Sequence, residues 1–441
     1  MVKTKNLSLN IDYIITYELC DAVIIFNAAN ARWCKIDFSE YEQFQKLLTG
    51  CRVQDAELDE NLVLKLLVKG IIDFTTKPEI RFSNEAPLDM PHQVYYEPTS
   101  YCNLNCVYCY ANAILPENLE FDTEKSKEIL DKIIELPTLR GVTFTGGEPL
   151  LRKDTLDLAQ YVFDNSEAKL SILTNGLLIN KDNVSRFKIF NNVTLSLDAH
   201  NEQLNSLTRG KGTFTKVVDA IKLLKKEGIK VNVTTVVSKT NIDYVIQIMD
   251  YMKELGVDEH NMSTHISMGR GSDNCIECST KDVILYRKKY FDHLCDKKEP
   301  KDIDQLIRPR LVQGQIRKSC GASAGESFIT DDGNVYPCRL FANDQYLIGN
   351  VLDSSLFNIL HGENATRFIK NLNSQSYTSC PKCKYLYVCA GSCRSAHAAY
   401  TGDLKKSDDG LCTILKNEID CGIITESGYN PITKRPIGEM V

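Results

Sequence analysis

Short apolar runs alternate with amphipathic stretches along residues 90 to about 270. Brief apolar runs predict buried strands, and apolar residues repeated at helical spacing predict helices. The predicted strands are Val94–Glu97, Gly141–Thr145, Leu170–Leu173, Val193–Leu197, Val231–Val237 and His265–Met268. The predicted helices are Glu124–Leu136, Leu156–Phe163, Phe214–Glu227 and Ile242–Leu255. About six strand–helix units in this order indicate an α/β fold with a parallel sheet curled into a partial barrel.

Residues 1 to about 85 show a different order, with strands first and helices afterwards. Ser39 with Glu42 three residues later predicts a helix that begins with a capping box. The other predicted elements are a hairpin of Ala22–Phe26 and Ala31–Ile36, a second helix near Leu58–Val68 and a short strand at Ile71–Ile72. This segment is therefore expected to fold as a separate small unit.

Length and charge restrict the possible function classes. The chain has 441 residues, more than one ordinary domain, so two or three domains are expected. Its net charge is −6 and no basic block occurs, which argues against nucleic acid as a partner. The amino terminus lacks the apolar segment of a secretion signal, and no apolar run is long enough for a membrane span. A cytoplasmic location is expected.

The chain contains 17 cysteines. Cytosolic thiols stay reduced, so metal ligation explains this number better than disulfides do. Four cysteines occur singly and are interpreted as small buried residues: Cys20, Cys34, Cys51 and Cys295. The others fall into tight groups, as metal ligands do.

Cys102, Cys106 and Cys109 have the spacing CxxxCxxC directly after the first predicted strand of the barrel. A [4Fe–4S] cluster normally takes four cysteine ligands, so three thiolates leave one iron open to a small molecule. This motif resembles that of the radical SAM superfamily, in which the open iron binds and reductively cleaves S-adenosylmethionine (SAM). The resemblance implies a partial (β/α)6 barrel of the TIM type, with functional loops at the carboxyl ends of its strands.

The same resemblance implies a set of SAM contacts on those loops. Gly146-Gly-Glu-Pro149 follows the second strand, and glycine permits close approach of a ligand. In chain order, the implied contacts are Tyr108 near adenine; Gly146, Gly147 and Glu148 at the methionine amino group; Asn175 assisting; Ser196 and Asp198 at the ribose; and Arg209 at the methionine carboxylate. Taken alone, each of these residues is more typical of a structural turn or a surface ion pair than of a SAM contact.

A second set of cysteines lies in the last third of the chain. Its members are Cys320, Cys338, Cys380, Cys383, Cys389, Cys393 and Cys412, and their order resembles the SPASM domain of maturases for subtilosin-type peptides, sulfatases, pyrroloquinoline quinone and mycofactocin. Without the first motif, the Cys-x-x-Cys pairs would favour structural zinc. The resemblance implies one auxiliary cluster on Cys320, Cys338 and Cys393 and another on Cys380, Cys383, Cys389 and Cys412.

The first auxiliary set is one thiolate short. Either Cys421 supplies the missing ligand, or the position stays open for a group of the substrate. Cys275 and Cys278 are unassigned, as loop thiols or as a labile metal-binding or substrate-exchanging pair. No general base is identified, and the histidines are expected at surface or packing positions: His92, His200, His260, His265 and His397.

The amino-terminal unit resembles the winged-helix element with which peptide maturases recognise precursor peptides. A plain packing domain and a DNA-binding winged helix are the alternatives. Acidic residues dominate its helices and argue against DNA: Glu40, Glu42, Glu57, Asp59 and Glu60. The expected domains are residues 1–85 for peptide recognition, 90–285 for the radical SAM barrel, 286–318 as a bridge, 319–425 as the SPASM domain and 426–441 as a tail.

These resemblances predict a maturase that installs a thioether or carbon–carbon crosslink in a ribosomally made precursor peptide with a leader. The implied cofactors are SAM and three [4Fe–4S] clusters, and the implied electron donor is a flavodoxin or ferredoxin. Alternatives are maturation of a folded protein, peptide epimerisation, and a non-enzymatic iron–sulfur carrier. Sulfatase maturation is disfavoured because such relatives place aspartate after the Val-Tyr-Pro-Cys cysteine, where this chain has Arg339.

Overall fold

The computed structural model describes residues 7–73, 92–115, 122–274, 276–296, 316 and 319–437. The chain divides into two compact units. The first unit comprises Met1–Glu85, Thr280–Cys320 and Leu372–Val441, and the second comprises Ala86–Ser279 and Gly321–Asn371. Each unit therefore combines segments that are distant in sequence.

The described elements are numbered here in chain order. The strands are β1 (Ile14–Glu18), β2 (Val23–Asn27), β3 (Arg32–Ile36), β4 (His92–Tyr96), β5 (Leu139–Phe144), β6 (Lys169–Thr174), β7 (Asn192–Ser196), β8 (Val231–Val237), β9 (Glu259–Thr264), β10 (Glu326–Ile329), β11 (Asn334–Tyr336) and β12 (Gly349–Asn350). The helices are α1 (Phe38–Leu48), α2 (Glu60–Val68), α3 (Thr123–Ile134), α4 (Thr155–Asn165), α5 (Glu202–Arg209), α6 (Thr213–Lys226), α7 (Val245–Glu254), α8 (Arg270–Asp273), α9 (Thr280–Asp296), α10 (Leu356–His361), α11 (Glu363–Asn371), α12 (Leu386–Cys389), α13 (Arg394–Thr401) and α14 (Asp409–Glu426). Within the described residues, no helix is both long and apolar enough to cross a membrane.

The second unit contains a nine-stranded sheet in the order β12-β11-β10-β4-β5-β6-β7-β8-β9. Strands β4 to β9 are all parallel and lie beside each other in chain order, as six strand–helix units require. The parallel α/β sheet of a partial barrel is thereby confirmed. Strand β10 extends the sheet parallel to β4, so a segment from the SPASM region continues the barrel sheet.

Alternation along the strands separates the two faces of this sheet. Val94 and Tyr96 of β4 are fully buried in the main apolar core, as are Val142 and Phe144 of β5. Side chains of α3, α4 and α6 complete that core on the same face. Residues between these positions point to the opposite face, which places Tyr95 and Glu97 there. The apolar pattern thus determines which residues remain available for chemistry.

The final strand of the barrel was predicted wrongly. It spans Glu259–Thr264, and His265 directly follows it rather than beginning it. Only Met262 in this edge strand is buried, so the strand lacks the apolar run on which the prediction relied. His265 consequently lies at the carboxyl edge of the sheet, where its backbone N–H donates to the carbonyl of Val237.

The first unit contains an antiparallel sheet in the order β1-β2-β3. Strands β2 and β3 form the expected hairpin, whereas β1, with the mixed sequence Ile-Ile-Thr-Tyr-Glu, was not predicted. At Ile71–Ile72 no strand occurs; the neighbouring Asp73 forms an isolated bridge with Ser8. Helices α1 and α2 pack on the sheet through an apolar cluster that includes Phe44, Leu47 and Leu66.

The capping box of α1 lies two residues earlier than predicted. The Asp37 carboxylate accepts the Glu40 N–H at 2.8 Å, and the Glu40 carboxylate accepts the Asp37 N–H at 2.9 Å. Ser39 is therefore inside the helix and Glu42 is not its capping partner. An Asp cap satisfies the exposed N–H groups as well as Ser does, and sequence spacing alone fitted both pairs. The winged-helix assignment of this unit remains a prediction.

Candidate functional site

The CxxxCxxC loop follows β4 at the carboxyl edge of the sheet. The Leu104 N–H lies 3.4 Å from the Cys102 sulfur, and the Cys109 N–H donates to the Cys106 carbonyl at 3.2 Å. Burial raises the pKa of Cys102 to about 11, to which the nearby Glu148, Cys106 and Cys109 add. Three thiols are thus gathered in one partly buried loop, a donor set that suits an iron–sulfur cluster.

The segment that follows β9, residues 269–274, contacts the backbone of the cysteine loop. The Arg270 side chain donates to the carbonyls of Cys106 at 3.2 Å and Ala113 at 2.8 Å. Asn274 donates to the carbonyl of Val107 at 2.7 Å. Gly269, at φ +54°, leaves no room for a side chain, because a Cβ there would lie 2.5 Å from the Cys109 carbonyl oxygen. The sequence Met-Gly-Arg-Gly therefore positions the cysteine loop.

Gly146 and Gly147 allow close packing against the segment that leads into the cysteine loop. A Cβ on Gly146 would lie 2.4 Å from the Thr99 carbonyl oxygen, and one on Gly147 would lie 2.1 Å from that of Tyr101. The N–H groups of Gly147 and Glu148 donate to the same two carbonyls. The glycines are thus required by the protein's own backbone, whatever ligand they also contact.

Glu148 connects the ends of β5 and β6. Its carboxylate accepts from the Leu150 N–H, the Thr174 hydroxyl and the Asn175 N–H, at 2.7 to 3.0 Å. Burial raises its pKa to about 7 despite these hydrogen bonds. The Asn175 amide in turn donates to the Asn103 side chain in the cysteine loop at 2.7 Å. Glu148 and Asn175 therefore hold neighbouring loops together, and their contacts with SAM remain a prediction.

Asp198 and Arg209 form a buried ion pair. They are 1% and 7% exposed, and the Arg209 Nε and Nη2 donate to the two carboxylate oxygens at 2.9 and 3.2 Å. Asp198 also accepts from the Thr208 hydroxyl, the Val236 N–H and, in a short contact, the Tyr108 hydroxyl. Burial opposes the charge of Arg209, but Asp198 raises its pKa overall. The residues assigned to ribose, carboxylate and adenine thus form one network, with Ser196 two residues before Asp198 at the end of β7.

The sequence analysis missed Glu97 and used Arg339 only as an argument against sulfatase maturation. Glu97 is 8% exposed, and its pKa is raised to about 8 by burial and by Asp331 and Asp332. Arg339, beside Cys338, lies over the ring of Tyr95 at 5.4 Å. Strand alternation could have indicated Glu97, since it lies two residues beyond Tyr95 on the non-core face.

In the first unit, Cys380, Cys383, Cys389 and Cys412 line one cavity of about 80 Å³. Burial raises the pKa of Cys389 to about 12, and the other three thiols raise it further. Across the described residues, no group of three or more His, Cys, Asp or Glu side chains is arranged to hold a single metal ion. The four cysteines do line one cavity, and the cluster assigned to them remains a prediction.

Arg394 holds the chain around this cavity. It is fully buried, its guanidinium donates to the carbonyls of Gly391, Leu404 and Lys406, and it lies 4.1 Å from the centre of the Tyr377 ring. The backbone between Cys389 and Cys393 is left-handed at three successive residues, Ala390, Gly391 and Ser392. In the sequence, only its position next to Cys393 indicates that Arg394 contacts the chain around this cavity.

Cys421 lies away from the four-cysteine cavity. Cys412 and Cys421 share α14, and nine residues are two and a half turns and about 13.5 Å along a helix, so the two thiols lie on opposite faces. Burial raises the pKa of Cys421 to about 11, and its charged neighbours are Lys434, Asp420 and Lys288.

The remaining cysteines of the sequence predictions are placed as follows. Cys278 is buried, and Cys275 lies outside the described residues. Cys338 lies two residues after the end of β11, and Cys393 is the N-cap residue of α13. Cys320 is the last residue before the second unit resumes at Gly321.

Within the first unit, the small sheet contacts the chain around the cavity. The hydroxyls of Tyr17, on β1, and Tyr385, which lines the cavity, both donate to one oxygen of Asp420 at 2.7 Å. Lys384 donates to the carbonyl of Ile14 at 3.2 Å, and the rings of Tyr13 and Tyr387 lie 5.2 Å apart. The amino-terminal sheet and the second auxiliary site thus belong to one packed body.

Comparison with known families matches two regions of the chain. Residues 96–252 match the radical SAM superfamily, and residues 320–384 match SPASM, an iron–sulfur cluster-binding domain. These ranges include the first cysteine motif, the SAM-site loops and the first four cysteines of the second set.

Several curated proteins resemble most of the chain. An AdoMet-dependent heme synthase of Methanosarcina barkeri is 27% identical, over 72% of this chain and 95% of its own. The subtilosin biosynthesis protein AlbA of Bacillus subtilis is 29% identical, over 76% and 73%. The mycofactocin maturase MftC of Mycolicibacterium smegmatis is 26% identical, over 71% and 80%. Relatives of this chain therefore include peptide maturases but also a heme synthase.

Two solved structures share the fold. The protein anSMEcpe with bound AdoMet has a TM-score of 0.64 at 22% identity and covers 77% of this chain and 100% of its own. Streptococcus suis SuiB bound to its precursor peptide SuiA has a TM-score of 0.59 at 18% identity and covers 91% and 98%. Together with the family matches and the cysteine loops, these findings show that the chain is a radical SAM enzyme with a SPASM domain.

Proposed function

We propose that this enzyme is a peptide maturase that forms a thioether or carbon–carbon crosslink within a ribosomally made precursor peptide. The observation that carries the proposal is the packing of the amino-terminal sheet against the four-cysteine cavity through Tyr17, Tyr385 and Asp420. A peptide held by that sheet would be tethered to the unit that contains an auxiliary cluster. AlbA, MftC and the SuiB–SuiA complex support a peptide as substrate.

In this proposal, Cys102, Cys106 and Cys109 hold the cluster that binds SAM. When bound, cluster and SAM together supply a reductive cleavage that yields a 5′-deoxyadenosyl radical. The residues around them orient the cofactor: the Gly146–Gly147 backbone at the methionine amino group, Arg209 Nη1 at its carboxylate, and Ser196 with Asp198 at the ribose. Arg209 has this nitrogen available because its Nε and Nη2 bond to Asp198.

Crosslinking removes two hydrogens from the peptide. One leaves as a hydrogen atom to the adenosyl group, and the other leaves as a proton and an electron when the new bond forms. We assign the electron to an auxiliary cluster that Cys380, Cys383, Cys389 and Cys412 would hold. The further predicted ligands of iron–sulfur clusters are Cys320, Cys338 and Cys393. Because Cys421 lies away from the four-cysteine cavity, we propose that it is not a ligand there.

The edge of β3 is the proposed docking site for the leader. In the described sheet β3 pairs with β2 alone, so one row of backbone groups remains available for strand addition. Its exposed residues Arg32 and Lys35 are basic and would favour an acidic leader. The other edge is partly occupied, since Lys384 bonds to the Ile14 carbonyl on β1.

The test is anaerobic reaction of the reconstituted, reduced enzyme with SAM and the precursor peptide encoded beside its gene, followed by mass spectrometry. A low-potential flavodoxin or ferredoxin is the proposed physiological donor and can replace the chemical reductant. Loss of two hydrogens per event supports crosslinking, and fragmentation then locates the bond. Exchange of one hydrogen with solvent at constant mass would instead identify an epimerase, and reaction with a leaderless folded protein would identify a protein maturase.

Matched cysteine variants separate cluster ligands from ordinary thiols. Cys106→Ala is expected to abolish production of 5′-deoxyadenosine, and Cys380→Ala is expected to abolish the crosslink. Cys34→Ala, at a buried cysteine of the amino-terminal core, should leave both intact. An enzyme that yields no 5′-deoxyadenosine with any substrate would be an iron–sulfur carrier rather than a maturase.

A further inference from the structure

Arg339 has a partly buried guanidinium that forms no hydrogen bond and no ion pair with any described residue. The other buried arginines of the two cofactor regions are bonded: Arg209 donates to the Asp198 carboxylate, and Arg394 donates to backbone carbonyls. A partly buried charge without acceptors costs stability unless another group completes it. The N–H groups of Arg339 are therefore available to a ligand.

The surroundings of Arg339 place it near the first cysteine loop. Its guanidinium carbon lies 5.4 Å from the centre of the ring of Tyr95, a partly exposed residue on the face of the barrel sheet opposite the apolar core. Burial opposes the charge of Arg339, and Tyr110 and Glu326 raise its pKa overall. Tyr110 directly follows Cys109 and is 38% exposed. Arg339 thus lies beside the loop proposed to bind SAM, next to residues that remain partly exposed.

The chemistry of the guanidinium restricts the ligand. It offers five N–H donors and no acceptor, and it binds carboxylates through two parallel hydrogen bonds. An unmodified ribosomal peptide is negatively charged near neutral pH only at carboxylates, on its aspartate and glutamate side chains and at its carboxyl terminus. Glu326, on β10, forms no ion pair with Arg339, and burial raises the pKa of this glutamate. A substrate carboxylate would therefore not displace a carboxylate of the described residues.

We propose that Arg339 is a specificity-determining residue that pairs with a carboxylate of the substrate peptide close to the position that reacts. This inference rests on the proposed peptide maturase function and adds the chemical class of the substrate group that the site selects. The rings of Tyr95 and Tyr110 would flank the bound group. Acidic residues of the leader are proposed to act on Arg32 and Lys35 of β3 instead, so the two kinds of recognition can be tested separately.

The test measures kcat/KM for anaerobic crosslinking of the precursor peptide encoded beside the gene, by wild type and by Arg339→Gln. In a set of peptides, each acidic residue outside the leader is changed in turn to its amide, and in one further peptide the terminal carboxylate is amidated. One of these changes should lower kcat/KM of wild type about tenfold to a hundredfold, because it removes a charge-assisted pair. The same change should have no further effect in Arg339→Gln. The peptide that shows this pattern distinguishes a side-chain carboxylate from the terminal one.

Arg140→Gln is the matched control, because Arg140 is exposed near the amino end of β5 in the same unit. It should leave kcat/KM for every peptide within about twofold of wild type. Where a side chain is identified, Arg339→Glu should recover activity on the peptide in which that acid is changed to lysine, a rescue that a purely structural arginine would not allow.

Iron content is measured in each variant. If Arg339→Gln holds less iron than wild type, Arg339→Lys replaces it in the comparison, and the same peptide should then show a weakened dependence on its carboxylate. Equal losses in wild type and the Arg339 variant for every peptide overturn the inference, as would be seen if Arg339 bound a peptide carbonyl or served only the fold. Absence of crosslinking of the unchanged peptide by wild type would instead refute the proposed function.

Discussion

The ion pair of Asp198 and Arg209 should be among the most sensitive positions of the barrel unit. Arg209→Met removes two of the five hydrogen bonds to the Asp198 carboxylate and leaves that charge buried. Removing one partner of a buried pair costs about 3–5 kcal/mol. Tyr108, Thr208 and Val236 still donate to the carboxylate, so we expect a value near the lower limit, about 3 kcal/mol.

A matched control exists on the surface of the same unit. Arg186 pairs with Asp157 at 2.5 Å, but the two side chains are 40% and 69% exposed. An exposed pair of this kind contributes at most about 1 kcal/mol. Arg186→Met should therefore change stability little, although the chemical substitution is the same. Arg209→Lys should fall between them, because lysine keeps the charge but loses the bidentate geometry.

Hydrogen exchange measured by mass spectrometry is the suitable assay, because the chain has two units and a global unfolding curve would mix them. In reconstituted protein of equal iron content, a loss of 3 kcal/mol corresponds to about a hundredfold faster exchange through unfolding of the unit. The amides of β7 and β8 report this directly. If Arg209→Met exchanged no faster than Arg186→Met at these strands, the pair would not contribute as a buried ion pair, and the reasoning from burial would be wrong.

Four further predictions concern other groups of the two units. The pKa of Glu97 is raised from 4.5 to about 8, so the folded state binds more protons between these values and stability falls as pH rises through this window. Above pH 8, Glu97→Gln should therefore be more stable than wild type by up to about 5 kcal/mol, measured by hydrogen exchange at β4 with both proteins compared at each pH. A constant difference from pH 5 to 9 would contradict this. Arg394→Lys should lower the iron content through loss of the second auxiliary cluster, measured by iron analysis against Arg367→Lys on an exposed helix face. Cys421→Ala should keep full iron content whereas Cys412→Ala should not, and equal loss in both would make Cys421 a ligand. Tyr17→Phe combined with Tyr385→Phe should weaken crosslinking of a leader-bearing peptide more than production of 5′-deoxyadenosine, measured side by side.

The strand pattern predicted the barrel well where strands are buried on both sides. Strand β8, for example, was predicted with correct bounds because its β-branched residues are almost continuous. The prediction failed at edge strands, where β1 and β9 carry mixed or polar residues and their pairing depends on partners distant in sequence. The capping box was misplaced for a related reason: two acceptable pairs lay two residues apart, and only the folded backbone selects Asp37 and Glu40.

The candidate site residues were named from motifs and a family resemblance, but their interactions with each other were not predicted. The cysteine motif identified the loop, and Asp198 and Arg209 were named, yet their mutual ion pair depends on a contact between the end of β7 and the end of α5 that no spacing encodes. Glu97, Arg339 and Arg394 were missed or set aside because a single charged residue resembles any other in sequence. Only the structure separates an arginine with partners, such as Arg394, from Arg339, whose guanidinium forms no hydrogen bond or ion pair with the described residues.

The contacts around the CxxxCxxC loop indicate that its shape does not depend on the cluster alone. Three segments hold it: Gly146–Gly147 receives the chain that enters the loop, Asn175 bonds to Asn103 within it, and Arg270 bonds to the carbonyl of Cys106. Each segment follows a different strand of the barrel, and its backbone, amide or guanidinium contacts do not involve the sulfurs. A loop fixed in this way would lose less conformational entropy when a cluster binds. The carboxyl-edge loops that carry the proposed SAM contacts Gly146, Gly147 and Asn175 thus also fix the cysteine loop.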